Sequence, residues 1–193
     1  MIVYPLENPR ISSKYGVMRT VLGVTRLHKG LDMVSTTGDK NVRAIKDGVY
    51  RGTHYDKDGF GNYVTVQHDD GVRTIYAHLE SFANIPKNTR ISAGTILGVE
   101  GTTGRSTGLH LHIEGRVSPY TTANHIDIAE YMGIVNERGV VQKITKLGYS
   151  KEEAMDVVKE ATGFEEKTMK YLDDYKYNFD LFAKLANAIK PKK

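Results

Sequence analysis

Two histidines two residues apart, His110 and His112, stand in the run Gly108-Leu109-His110-Leu111-His112-Ile113-Glu114. The run reads as a strand, and on a strand the side chains at i and i+2 point to the same face. His110 and His112 are therefore expected to project together into one groove, with Leu111 and Ile113 turned toward the core. Imidazole is a good zinc ligand and the commonest general base near neutral pH. Two on one rigid face allow one to hold a metal while the other handles protons. Two further groups have the same character. His28 and Asp32 lie four apart in Arg26-Leu27-His28-Lys29-Gly30-Leu31-Asp32-Met33, and both are acceptable zinc donors. His78 ends a strand-like run that begins at Val72, with Tyr76 expected on the same face.

Such side chains need stiff, short elements to hold them. Glycine is frequent, 19 in 193 residues, which fits many turns between strands. The glycine-rich loop Gly101-Thr102-Thr103-Gly104-Arg105-Ser106-Thr107-Gly108 leads into the two-histidine strand from the strand-like Thr95 to Glu100. Tyr63 to His68 and Val72 to His78 alternate about Asp69-Asp70-Gly71 and read as a hairpin, with His68 beside the turn and expected to face solvent. Residues 42–52 read as two short strands about the tight-turn dipeptide Asp47-Gly48. Asp56 to Gly61 carries alternate aspartates but lacks the closing Glu of a calcium loop, so it reads as a turn. The first 27 residues are short pieces broken by Pro5, Pro9, Gly16 and Gly23, and Asp127 to Gly133 is a short helix closing the strand-rich part. Beyond Ile134 a helical period takes over. Ser150-Lys151-Glu152-Glu153 is a capping box opening a helix with Ala154, Val157, Val158 and Ala161 on one face, ending near Gly163; 164–175 and 177–189 are further amphipathic stretches. The predicted organisation is a mainly β antiparallel-sheet domain over 1–133 and a small α-helical C-terminal region over 134–193, read as a packing bundle in preference to a docking module.

Composition removes several function classes. With no cysteine, a disulfide framework and a thiolate metal site are both excluded, and any zinc must be held by His and carboxylate. The formal charge of +4 is modest, with no basic stripe and only a short Lys190-Pro191-Lys192-Lys193 tail, so no nucleic-acid partner is expected. No apolar run approaches the ~20 residues of a bilayer span. The N-terminal Met1 to Glu7 has no basic segment followed by an apolar stretch, so no secretory leader is read there.

Taken together, His28-Lys29-Gly30-Leu31-Asp32 (H-x-G-x-D), Tyr76-Ala77-His78-Leu79 (Y-x-H-L) and Thr103 to Glu114 (T-G-x-S-T-G-x-H-L-H-x-E) resemble the motifs of the lysostaphin-type zinc metallopeptidases. The likeness runs over about residues 10–133, with the motifs in the family's order. It implies an antiparallel β-sheet catalytic domain with an open groove. It also implies Zn2+ held by His28, Asp32 and His112, with the fourth position left for water, and His78 and His110 as the catalytic histidines. Which of the two is the general base stays open. The implied activity is a zinc endopeptidase cutting peptide cross-links or stem peptides of bacterial peptidoglycan, at the cell wall. Without a visible leader, the chain is expected to be virion-associated, holin-released or trimmed of its signal, as in a phage lysin or phage-tail assembly. A non-catalytic relative that binds peptidoglycan or regulates lysis is the alternative, but such relatives lose metal ligands and this chain keeps each expected residue. Leu109 stands where the family has a small residue or proline. Tyr15-Gly16-Val17-Met18-Arg19 is one residue longer than the usual Y-G-x-R, so no substrate-binding tyrosine is assigned.

Overall fold

Leu111 and Ile113, turned inward by strand alternation, are fully buried beside Leu31 and Met33 of a neighbouring strand. Burying such a side chain contributes about 1.5–3 kcal/mol. A slip of one residue would carry the whole set to the opposite face, so the burial also fixes the register. In the computed structural model, residues 2–143 are described, together with 156, 158–160, 162–163 and 165. The strands in order are β1 (Pro9–Ser13), β2 (Met18–Val21), β3 (Val24–Leu27), β4 (Leu31–Ser35), β5 (Asn41–Arg43), β6 (Gly48–Asp56) and β7 (Gly61–Gln67). There follow β8 (Arg73–Leu79), β9 (Ser81–Phe82), β10 (Arg90–Ile91), β11 (Ile96–Val99), β12 (Leu111–Arg116), β13 (His125–Ile126), the one-turn helix α1 (Ile128–Tyr131) and β14 (Gly139–Val140).

The principal sheet has the order β10-β6-β7-β8-β12-β4-β1-β14, with β13 also pairing β12. Every pairing is antiparallel. The two-histidine strand β12 thus lies inside the sheet, bonded to β8 on one side and β4 on the other. A smaller sheet, β5-β11-β9, and the hairpin β2–β3 complete the strands. Core side chains include Tyr50, Val64, Val66, Tyr76, Leu79 and Leu97. Helix α1 is opened by Asp127, whose side chain accepts from the backbone of Ala129 and Glu130. The mainly β, antiparallel architecture is the one expected.

Two local expectations are corrected. The strands flanking Asp47-Gly48 do not pair with each other: β5 pairs β11, and β6 pairs β7 and β10. His68 is not solvent-facing but buried, with Nδ1 donating to the Asp47 carbonyl at 2.8 Å and Nε2 bonded to Thr74 Oγ1 at 2.9 Å.

The chain divides into two compact units, Met1–Lys143 and Ile144–Lys193. In the first, the sheet continues past Gly133 because β14 pairs β1. In the second, residues 156, 158–160 and 162 are helical, while the capping box Ser150 to Glu153 and almost all of 164–175 and 177–189 lie outside the described residues. Among the described residues no helix is long and apolar enough to cross a membrane.

Candidate metal centre

The sheet brings distant segments to one point. Asp32 on β4 is directly opposite His112 on β12, which is directly opposite Ala77 on β8. His28 enters from the segment before β4, held by its own backbone: its N–H donates to Val17 and its carbonyl accepts from Gly16, each at 2.8 Å. His28, Asp32 and His112 are buried, and one ligand atom of each lies within 4.8 Å of the others. Asp32 Oδ1 is 3.1 Å from His28 Nε2 and 2.8 Å from His112 Nδ1, and those two nitrogens are 3.1 Å apart.

The far side of each ring shows what the near side is for. His28 Nδ1 donates to the Lys14 carbonyl at 2.6 Å, and His112 Nε2 donates to Glu114 Oε1 at 3.1 Å. With those protons committed, the neutral rings present lone pairs at His28 Nε2 and His112 Nδ1, both aimed at a carboxylate oxygen. Three such acceptors repel one another unless a cation or a shared proton joins them. Tetrahedral zinc with bonds of 2.0–2.1 Å places its ligand atoms about 3.3 Å apart, close to the triangle seen. Outer partners that fix the tautomer of a ligating histidine are the usual companions of such sites. The donor set therefore fits zinc.

Charge follows geometry. Burial works to raise the Asp32 pKa, but bonds from His112 and His28 outweigh it and hold the carboxyl well below the ordinary range. Burial works the other way on His112, yet its bonds to Asp32 and Glu114 lift it to about 9, so that a proton on Nδ1 joins the three groups where a metal would otherwise do so. Glu114 resists burial through His112 and Arg116 and falls to about 2. Burial lowers His28 despite Asp32. Burial, with His112 and His110 nearby, drives His78 down to about 4.

His78 and His110 sit beside the triad. Their ring centroids are 4.7 Å apart, and that of His78 is 5.7 Å from that of His112. His110 Nε2 is 3.7 Å from Asp32 Oδ1. Each Nδ1 donates to a carbonyl of the glycine-rich loop, His78 to Thr103 and His110 to Gly108, both at 2.8 Å. Nε2 is thereby left as the acceptor in each neutral ring.

His78 does not share a face with Tyr76, contrary to expectation. Tyr76 stands opposite the core residue Ile113 and is buried, its hydroxyl accepting from Ile45 N. The step from Asn62 to Val64 on β7 is matched by the longer step from Leu79 to Tyr76 on β8, so β8 carries a bulge. His78 takes a left-handed backbone with φ of 63° within it. An extra residue in this conformation re-aims the side chain.

Other contributors escaped the sequence reading. Arg19 on β2 bonds the second oxygen of Asp32. Glu114 anchors His112 and is held in turn by Arg116, at 2.9 and 2.7 Å. Its place two residues after His112 on the same strand face was a signal that could have found it. Gly30 is required because a Cβ there would lie 2.6 Å from the His112 ring and from the Ile113 carbonyl oxygen.

The centre opens on both sides. A cavity of about 300 Å³ is lined by His28, His78, His112 and Phe60. Another of about 390 Å³ is lined by Asp32, His110, Leu109 and Ser106. Arg19 and Arg105 border both. Arg105 donates to the Val21 and Leu22 carbonyls at 2.6 and 3.0 Å, tying the β2–β3 hairpin to the glycine-rich loop.

Comparison with known proteins gives this site a context. The model of the family described as Peptidase family M23 matches residues 26–128. The DD-carboxypeptidase/endopeptidase Mpg of Neisseria meningitidis serogroup B is 44% identical over 119 residues, 60% of this chain and 26% of that protein. The peptidoglycan DD-endopeptidase ShyC of Vibrio cholerae is 36% identical over 112 residues, 57% of this chain and 25% of that protein. The chain thus spans about a quarter of the length of these curated relatives. Among solved structures, the catalytic domain of the antimicrobial peptidase lysostaphin from Staphylococcus simulans matches with a TM-score of 0.58 and 28% identity, covering 65% of this chain and 92% of that one.

Proposed function

The chain belongs to peptidase family M23, and on that premise we propose that it is a zinc-dependent endopeptidase hydrolysing peptide cross-links or stem peptides of peptidoglycan at the bacterial cell wall. The observation that carries the reading is the convergence of His28 Nε2, His112 Nδ1 and Asp32 Oδ1 in a groove open on both sides. The likeness to Mpg and ShyC supports the substrate class.

In this reading His28, Asp32 and His112 hold the metal. When bound, zinc supplies a Lewis acid and brings water ionisation to about pH 7. The rest of the work belongs to the chain. Glu114 and the Lys14 carbonyl keep the two ligating rings in the tautomer that offers a lone pair. His78 and His110, anchored through Nδ1, each present Nε2 for proton transfer. One takes the proton of the attacking nucleophile. The other bonds the developing oxyanion or returns a proton to the leaving amine.

Digestion of purified peptidoglycan tests the proposal. Release of new amino termini is expected, and release of reducing sugars in their place would mean that another bond is cut. His110→Ala is expected to abolish cleavage while the zinc content of the chain stays near one per molecule. Binding of peptidoglycan without cutting by the native, zinc-loaded chain would favour the non-catalytic alternative.

A further inference from the structure

Past Phe60 from the metal centre lies a third cavity, of about 480 Å³. Phe60 and Arg116 line it and the metal-side cavity alike, so the two adjoin at these residues. Its walls carry Arg51, Arg73, Lys87 and Arg116, and no Asp or Glu lines it. Arg116 is already matched by Glu114. The others are not. Arg51 donates from Nη1 to the Asn88 amide oxygen at 3.0 Å, and Arg73 from Nε to the Gln67 amide oxygen at 3.1 Å, both neutral partners. Among the described residues no carboxylate pairs with Arg51, Arg73 or Lys87, and Arg51 Nε is enclosed without any hydrogen-bond partner.

The cavity is also shaped. The Arg73 guanidinium lies over the Tyr120 ring, 3.9 Å from its centre, a cation–π contact that helps to hold it in the wall. His54 stacks on Tyr63 at 4.9 Å with 22° between the rings. Burial, then the charges of Lys87 and Arg73, keep His54 below its ordinary pKa, so this wall stays neutral while the cations around it do not. Cations gathered in a concave site without counter-charge raise the potential there and attract an anion. Guanidinium is suited to planar, bidentate capture of a carboxylate.

We propose that this cavity is a subsite for a free carboxylate of the peptide substrate, placed along the groove from the scissile bond, so that the chain selects anionic stem peptides over neutral glycine bridges. The proposal rests on the peptidase reading above and adds the substrate class.

The test uses the full chain and two soluble cross-linked peptides of one sequence, the first with its free carboxylates and the second with these converted to carboxamides. The carboxylate form is expected to have a kcat/KM about tenfold higher, expressed in KM, the order that a charge-assisted hydrogen bond supplies. In the Arg51→Gln/Lys87→Gln chain the ratio between the peptides should fall toward one with zinc content retained. The exposed Lys87→Gln alone should move it part of the way, which guards against a misfolded double variant. Equal rates for the two peptides in the native chain overturn the proposal, as does a double variant that keeps the native ratio. If neither peptide is cut, the peptidase reading fails and binding decides the subsite. Fluorescence anisotropy should then show the labelled carboxylate peptide bound about tenfold more tightly than the carboxamide, a preference lost in the double variant. Equal binding would end the subsite as well.

Discussion

His112 and Glu114 lie two residues apart on β12, and the Glu114 carboxylate receives the Nε2 proton of His112 at 3.1 Å. That bond decides which nitrogen faces Asp32. Glu114→Gln keeps the volume but removes the charge that makes the bond strong. It is expected to weaken zinc binding about 10–100-fold with the sheet intact, read by competition with a chromophoric chelator and by far-ultraviolet circular dichroism. Unchanged affinity would remove Glu114 from the metal's support.

Gly30 admits the His112 ring where any larger residue would collide with it. Gly30→Ala should therefore displace the ring or the β12 backbone, destabilising the fold by about 1–3 kcal/mol and weakening zinc binding together. Gly108 has open space around its Cβ position, so Gly108→Ala is the control and should retain metal affinity. Urea unfolding and metal titration on both variants check the pair.

A cation bound by His28, Asp32 and His112 binds the folded chain and not the unfolded one, and so stabilises the fold. Zinc at about 100 times its dissociation constant adds about 2.7 kcal/mol to folding stability, which for a domain of this size is about 5–10 °C in Tm. Differential scanning fluorimetry should show that rise on zinc addition and its loss with a chelator. His28→Ala should show neither.

His68 provides a pH prediction away from the centre. Burial holds its pKa below the ordinary 6.5, against the opposing pull of the Asp47 carbonyl. The folded state thus prefers the neutral ring. The associated stability is present above pH 6.5, where the unfolded ring is neutral too, and is lost as pH falls through the folded-state value. The urea midpoint should fall on acidification from about pH 7 to about pH 5. His68→Asn retains a donor for the Asp47 carbonyl and should make that fall shallower. An identical pH slope in both chains would refute the assignment.

Alternation and motif spacing carried most of the architecture. They located β7, β8, β11 and β12, the inward turn of Leu111 and Ile113, and the short helix capped by Asp127. They also named the residues that the sheet gathers, His28, Asp32, His78, His110 and His112. What escaped them is long-range. A turn dipeptide at Asp47-Gly48 says that the chain bends but not which strands it pairs, and β5 found β11, more than fifty residues on. His68 looked like a turn residue because the backbone of Asp47, which covers it, comes from another loop. Arg19 reaches Asp32 from a separate hairpin, and no local pattern announces that bond. The bulge in β8 is likewise invisible to an alternation rule, which presumes one residue against one.

That irregularity makes spacing itself a functional specification. Were one residue deleted between Tyr76 and Leu79, β8 would run in even step with β7, and its imidazole would have no detour by which to leave the core side. Every proposed metal ligand would still be present in such a chain, yet the proton relay proposed beside them would be gone. A family member can thus be silenced by arithmetic alone, without altering any residue that a motif search inspects.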